Sequence, residues 1–318
     1  MLTIRAFDFS DEDYAAMLVI ESAVFPEYTN STEEWKHIDG ARNPAHGYRR
    51  DIIERNGTPI AFGDCGQAYW LDDDGTYEFN VYVHPDHEAA DVRPAYLQLT
   101  LAAFAAHNPR TLITGMFSDH AAHIRFLLDA GFAETMRELE SELDVMAFDA
   151  ARFEPVAARV RAAGIRIVPL SALQQSDPDW KREIYELRWT LSQDVPSTEP
   201  RSKPTFESFE AHILNSPHFV PEAWFVALDG DQYVGMSRGW IDGSNAAQFN
   251  NELTGTLRSH RRRGIATALK LHVIAFAREN GARVIITGNA EGNPMYALNQ
   301  KLGFRPKPAW IHFCRIMR

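Results

Sequence analysis

The same landmarks occur twice along this chain, in the same order. AAFAAHNPRTLITG ends at Gly115, and IAFARENGARVIITG ends at Gly288. VHPDH ends at His87, and TLRSH ends at His260. NGTPIAFG, Asn56 to Gly63, is answered by DGDQYVGM, Asp229 to Met236. DAGF closes at Phe132 and KLGF at Phe304. The offset is about 170 residues throughout, far beyond the roughly 20–50 residues of a solenoid repeat. A repeat this long restricts the chain to two copies of one domain. The 318 residues suit that reading, since domains commonly run to about 100–200 residues. The copies are expected over 1–150 and 163–318, with 151–162 as a connecting helix closed by Gly164.

Periodicity in the second copy predicts short strands alternating with helices. Ile184, Leu187 and Leu191 share a face of a helix over 180–192, and Ile265, Leu269, Val273 and Phe276 a face of one over 265–278. Strands are expected at 166–169, 248–257, 284–287 and 310–316, with a hairpin turning at Asp229-Gly230. Residues 194–204 are rich in proline and turn residues and predict a loop. The fold class is α/β or α+β, with helices layered on the sheet faces.

Acidic residues outnumber basic ones 43 to 32, for a net charge of −11. That excludes a general nucleic-acid or anionic-membrane binder, whose phosphate affinity needs clustered Lys and Arg. No apolar run approaches the ~18 residues of a membrane span, and the start lacks the pattern of a secretory signal. A cytoplasmic protein is expected, with oligomer formation left open. Cys65 and Cys314 make neither a disulfide framework nor a thiolate metal site. His84, His87, His120 and His123 come without a recognisable ligand set, so they are expected to be structural, and no metal is expected.

Against this acidic background, the junction after the strand at 248–257 stands out. Arg258, Arg261, Arg262 and Arg263 precede Gly264 and a helix. A helix start offers unpaired N–H groups and favours anions, and glycine admits close approach of a ligand to the backbone. A solvated charge run is the alternative reading of the arginines alone. The combination of strand, arginines, glycine and helix favours a phosphate site.

RRRGIA, Arg261 to Ala266, resembles the acetyl-CoA signature of the GNAT superfamily of N-acetyltransferases, and NPMYALNQKLGF, Asn293 to Phe304, resembles that family's closing helix. The chain is similar to family members that carry two copies, one of them degenerate. The resemblance implies two domains, each a mixed, mostly antiparallel twisted sheet flanked by helices. It implies acetyl-CoA as co-substrate, with its pyrophosphate on Arg261, Arg262, Arg263, Gly264, Ile265, Ala266 and Thr267. The pantetheine arm would run along Thr256, Leu257 and Arg258, with Asn289, Asn293 and Asn299 near it. As a helix cap, Asn293 has an equally good reading. In the first copy, Glu88 and Asp91 stand where Arg261 and Gly264 stand in the second, so that copy is expected to have lost CoA.

The acceptor implied is the primary amine of a small molecule. Such an amine, with pKa near ~10.4, arrives as ammonium and must lose a proton. Glu252 is the candidate base, expected to share a strand face with Thr254 and Thr256; a surface glutamate is the alternative. Family members often carry a tyrosine as general acid where Asn299 stands, and Tyr296, one helical turn earlier, is the substitute candidate. Asp194 is a candidate to hold a cationic acceptor, or else to cap its loop. A CoA-binding sensor without turnover is the competing function.

Overall fold

The computed structural model describes residues 1–27, 30–68, 71, 75–196, 202–243 and 245–317. Residues 197–201 of the proline-rich loop thus lie outside the described residues. The chain divides into two compact units, one built from residues 1–137 and the segment from Ala309 onward, the other from residues within 138–308.

The first unit contains β1 (Leu2–Ala6), α1 (Asp11–Val24), α2 (Thr32–Gly40), β2 (Arg49–Arg55), β3 (Thr58–Gln67), β4 (Thr76–Val83), α3 (Val92–Phe104), β5 (Thr111–Phe117) and α4 (Ala121–Asp129). The chain continues through β6 (Ala133–Asp144), α5 (Glu154–Ala162), β7 (Ile165–Pro169), α6 (Leu170–Ser176), α7 (Trp180–Ser192) and α8 (Phe206–Phe209), which runs on as a π turn to Leu214. The hairpin β8 (Trp224–Asp229) and β9 (Gln232–Ile241) follows, then β10 (Gln248–Thr256), α9 (Ile265–Glu279), β11 (Val284–Ala290), α10 (Pro294–Leu302), β12 (Arg305–Pro306) and β13 (Trp310–Ile316).

The elements expected in the second copy form where periodicity placed them. Within α9, Ile265, Leu269 and Val273 are buried, and Gly281 beyond its end takes φ +85°, the left-handed conformation that closes helices. One sheet face of the second unit packs against α9 and α5, the other against α6, α7 and α8. The resulting strands are buried on both sides, as in Trp224 to Leu228.

Each unit has a mixed, mostly antiparallel sheet. The first runs β1-β2-β3-β4-β5-β13, with β4 and β5 its one parallel pair. The second runs β6-β11-β10-β9-β8-β7, with β10 and β11 parallel. No helix among the described residues is long and apolar enough to cross a membrane.

The units differ from the halves 1–150 and 163–318. β13, the last strand of the second repeat, lies antiparallel to β5 and puts Ile311 and Phe313 into the first unit's core. From Glu138 on, β6, the last strand of the first repeat, lies antiparallel to β11 in the second unit. The repeats have exchanged their final strands. The helix expected at 151–162 forms as α5, and its Val160 joins the same core as Ile265 of α9.

Candidate active site

After Thr256 the chain leaves the sheet, makes a short 3-10 turn at Arg258–His260, and enters α9 at Ile265. Arg262 and Gly264 both have positive φ, +64° and +87°. Among the described residues nothing accepts from the N–H groups of Arg262 through Thr267, and the first helical bond is Ala268 to the Gly264 carbonyl. Six consecutive amides at a helix start, turned by left-handed residues, form an anion-binding concavity. Gly264 is required twice. Its φ disfavours any side chain, and a Cβ there would lie 2.8 Å from Val156 Cγ1 of α5.

The arginines around this corner are partly balanced. Arg258 Nη2 lies 2.6 Å from Asp194 Oδ1, and Arg261 also reaches Asp194. The hydrogen bond from Arg258 holds the Asp194 carboxyl below its ordinary range. Asp194, the candidate to hold a cationic acceptor, is thus engaged with the arginines of this corner. Its charge is already matched by two guanidiniums. Arg263 stands 3.7 Å from Asp229, which also meets His260 at 3.2 Å.

Beside this corner the sheet opens. β10 and β11 are in register only at Gln248–Asn250 against Val284–Ile286. Beyond that point β10 stays with β9 and β11 with β6. The gap is bordered by Asn251–Thr256 and Thr287–Ala290, whose facing edges are unpaired in the ladder. An extended, amide-bearing chain is the kind of ligand such edges take. Arg261 donates from Nε to the Thr256 carbonyl at 3.4 Å, next to the gap.

The three asparagines separate by role. Asn293 caps α10 by accepting from the Met295 amide at 2.9 Å. Asn299 is wholly buried on the inner face of α10 and donates to Asn289 Oδ1 at 2.6 Å. Its buried carboxamide is therefore engaged in holding Asn289. Tyr296 is half-buried on the same helix, and its hydroxyl has no hydrogen-bond partner among the described residues.

Glu252 lies at a register shift between β10 and β9, where Glu252 and Leu253 leave the ladder. The bulge breaks the strand's alternation. Thr254 bonds to Ser237 at 2.7 Å within a buried network that continues through Asn251 to Lys270 of α9. Glu252 instead meets Arg188 of α7, on the other sheet face, at 3.0 Å. The expectation that Glu252, Thr254 and Thr256 share a face is thus overturned, because one extra residue reverses the pleat. Arg238 Nε is 2.5 Å from the second Glu252 oxygen. Burial pushes the Glu252 pKa up, but the charges of Arg238 and Arg188 outweigh it, and the carboxyl is held below its ordinary 4.5.

Arg188, Arg238 and Lys270 have no counterpart in the sequence reading. An arginine inside YVGMSRGW and a lysine inside the apolar α9 pattern were the available signals. Lys270 is 1% exposed and donates to Asn251 Oδ1 at 2.7 Å, and burial pushes its pKa down to about 7.

The corresponding corner of the first unit is built differently. Glu88 pairs with Arg93 and Asp91 with Arg55, at 2.5 and 2.6 Å. Neither acidic residue has positive φ, so the left-handed turn is missing and the local charges pair with each other. Among the histidines, His123 is buried and its pKa is pushed by burial down to about 3. The His84 ring accepts from the Asp86 amide at 3.2 Å.

Residues 181–304 match the acetyltransferase (GNAT) family model. In structure, the chain is similar to a GCN5-related N-acetyltransferase from Sphaerobacter thermophilus, with TM-score 0.71 and 18% identity over 100% of this chain and 96% of that one. It is likewise similar to a tandem GNAT protein from the clavulanic acid biosynthesis pathway, with TM-score 0.75 and 16% identity over 99% of this chain and 98% of the other. No curated protein matches the sequence. At these identities the structural likeness concerns the fold, and the family match concerns the unit that holds the splayed strands and the amide corner. Residues 181–304 thus match the acetyltransferase (GNAT) family model, in a chain whose whole length is similar in fold to a tandem GNAT protein.

Proposed function

We propose that the second unit transfers the acetyl group of acetyl-CoA to the primary amine of a small molecule. The observation that carries this reading is the row of six free amides from Arg262 to Thr267, beside an opening between β10 and β11. The amides and Arg261 to Arg263 suit a pyrophosphate, and the facing strand edges suit a pantetheine arm. Acetyl-CoA supplies the activated acyl thioester.

The protein's own part is to position and to move protons. Glu252, ionised between two arginines and about a third exposed, attracts the ammonium form of the acceptor and passes its proton to water. It is a weaker base than an unpaired carboxylate, so orientation is its larger share. A backbone N–H at the bulge is the candidate donor to the thioester oxygen. Tyr296 is the candidate donor to the departing thiolate, which with a thiol pKa near ~8.5 can also leave unaided. No acyl-enzyme is needed.

The competing sensor reading draws on Asn299, which is buried and cannot supply a proton. Thiol release from acetyl-CoA across a panel of amines decides. Release by the native protein, abolished in Gly264→Asp together with acetyl-CoA binding, is the expected outcome. Tight acetyl-CoA binding with no release on any amine would establish the sensor. Undiminished binding in Gly264→Asp would remove the site from this corner.

A further inference from the structure

On the α7 face of the second unit, two guanidiniums share one carboxylate. Arg238 holds Glu252 through Nε, and Arg188 holds it through Nη2. The cluster keeps one positive charge in excess. Arg238 is only 5% exposed. Its guanidinium lies over the rings of Trp224 and Trp240, 4.9 and 5.6 Å from their centroids. His218 lies against Trp240 at 4.7 Å and is the other titratable group facing Glu252. Three buried donors here have no acceptor: Arg238 Nη1, Arg188 Nε and Trp224 Nε1.

A buried guanidinium with an unmet N–H is costly unless a second anion completes it. Glu252 has already given both oxygens. The missing component is another carboxylate, and it would stand beside Glu252, an anionic group that suits an ammonium. Building on the acetyltransferase reading, we propose that the acceptor is a zwitterion, an α-amino acid or a molecule ending in one. Its ammonium lies toward Glu252 and its carboxylate on the free donors of Arg238 and Arg188.

Burial against two indoles restrains the Arg238 fork, which lowers the ordering cost of binding a carboxylate. A simple alkylamine would leave the donors unmet. It would therefore be rejected by the same effect that lets a polar site refuse an analogue lacking its hydrogen-bonding group.

The test uses the full-length protein saturated with CoA. The twenty N-acetyl-α-amino acids and their N-acetyl-α-amides are titrated in by calorimetry, and the free amino acids and amino amides are offered with acetyl-CoA in the thiol-release assay. At least one acid should bind about 10- to 100-fold tighter than its amide, the worth of one or two charge-assisted hydrogen bonds. Arg188→Met, on the outer side of the cluster, should reduce that preference to within about twofold, with Arg188→Lys between the two. Acetyl-CoA affinity should not change in either variant, which also reports that the unit is folded. Amides binding as well as acids, no acid binding at all, or a preference that survives Arg188→Met would each overturn the proposal. Carboxylate-selective binding without thiol release would uphold it while removing the acetyltransferase reading. Thiol release confined to amines without a carboxylate would do the reverse.

Discussion

A single carboxylate illustrates how neighbours set a residue's chemistry. Arg238 and Arg188 hold the Glu252 pKa below 4.5, so the group remains an anion through the mildly acidic range. Glu252→Gln is expected to lower the rate at pH 7 by about 100-fold, the low end of the worth of a positioned acid–base group, because orientation is its larger share. Acetyl-CoA affinity should stay within about twofold, and the rate loss should shrink toward pH 10, where the amine is already neutral. Steady-state rates across pH check this, and a variant with the native profile would leave Glu252 as a structural ion-pair partner only. Lys270 is the opposite case. Burial drives its pKa down to about 7, while the unfolded chain keeps that proton to about pH 10.4. Between these values the unfolded state binds more protons, so stability rises with pH, by at most about 1.4 kcal/mol per unit from this group. Below pH 7 both states are protonated and the contribution is flat. In urea titrations from pH 6 to 10, Lys270→Met should lack this rise relative to the native protein. Parallel curves would mean that Lys270 keeps its proton when buried.

At the level of elements, the exchanged strands decide which pieces can stand alone. A fragment spanning 163–318 keeps β13 but lacks β6, leaving the outer edge of β11 unpaired along seven positions and Ile311 and Phe313 without their core. It is expected to melt without a cooperative transition by circular dichroism, whereas residues 138–308 should show one. Cooperative melting of both fragments would mean that β6 is dispensable to the second sheet. The elements themselves were legible because α7, α9 and β8 carry clear periodic or continuous apolar patterns, and the arginine–glycine corner because its arginines and glycine gather within seven residues. What sequence did not show is explained by two effects. The bulge at Glu252 reverses a face without leaving a compositional trace. Arg188, Arg238 and Glu252 come from three elements spread over 65 positions, and no spacing rule joins them. Strand exchange was hidden in the same way, since β6 and β13 would read identically if each had stayed with its own repeat.

For the whole molecule, the two copies of one scaffold differ at the corner proposed to meet phosphate. Both splay after three registered pairs, Thr76–Glu78 with Thr111–Ile113 in the first unit and Gln248–Asn250 with Val284–Ile286 in the second. Among the described residues, only the second has the left-handed turn and an unbroken row of six free amides, since in the first the Val92 amide donates to the Ala89 carbonyl. One acetyl-CoA per chain is therefore expected by calorimetry, and a stoichiometry of two would show that the Glu88–Arg93 and Asp91–Arg55 pairs open for a ligand. The strand exchange gives the duplication a ratchet. Once the seven residues from Glu138 to Asp144 became the border of the working sheet, deleting the first repeat would have taken that border with it. The first repeat can then lose its own chemistry freely, and still the gene cannot return to one copy in a single step.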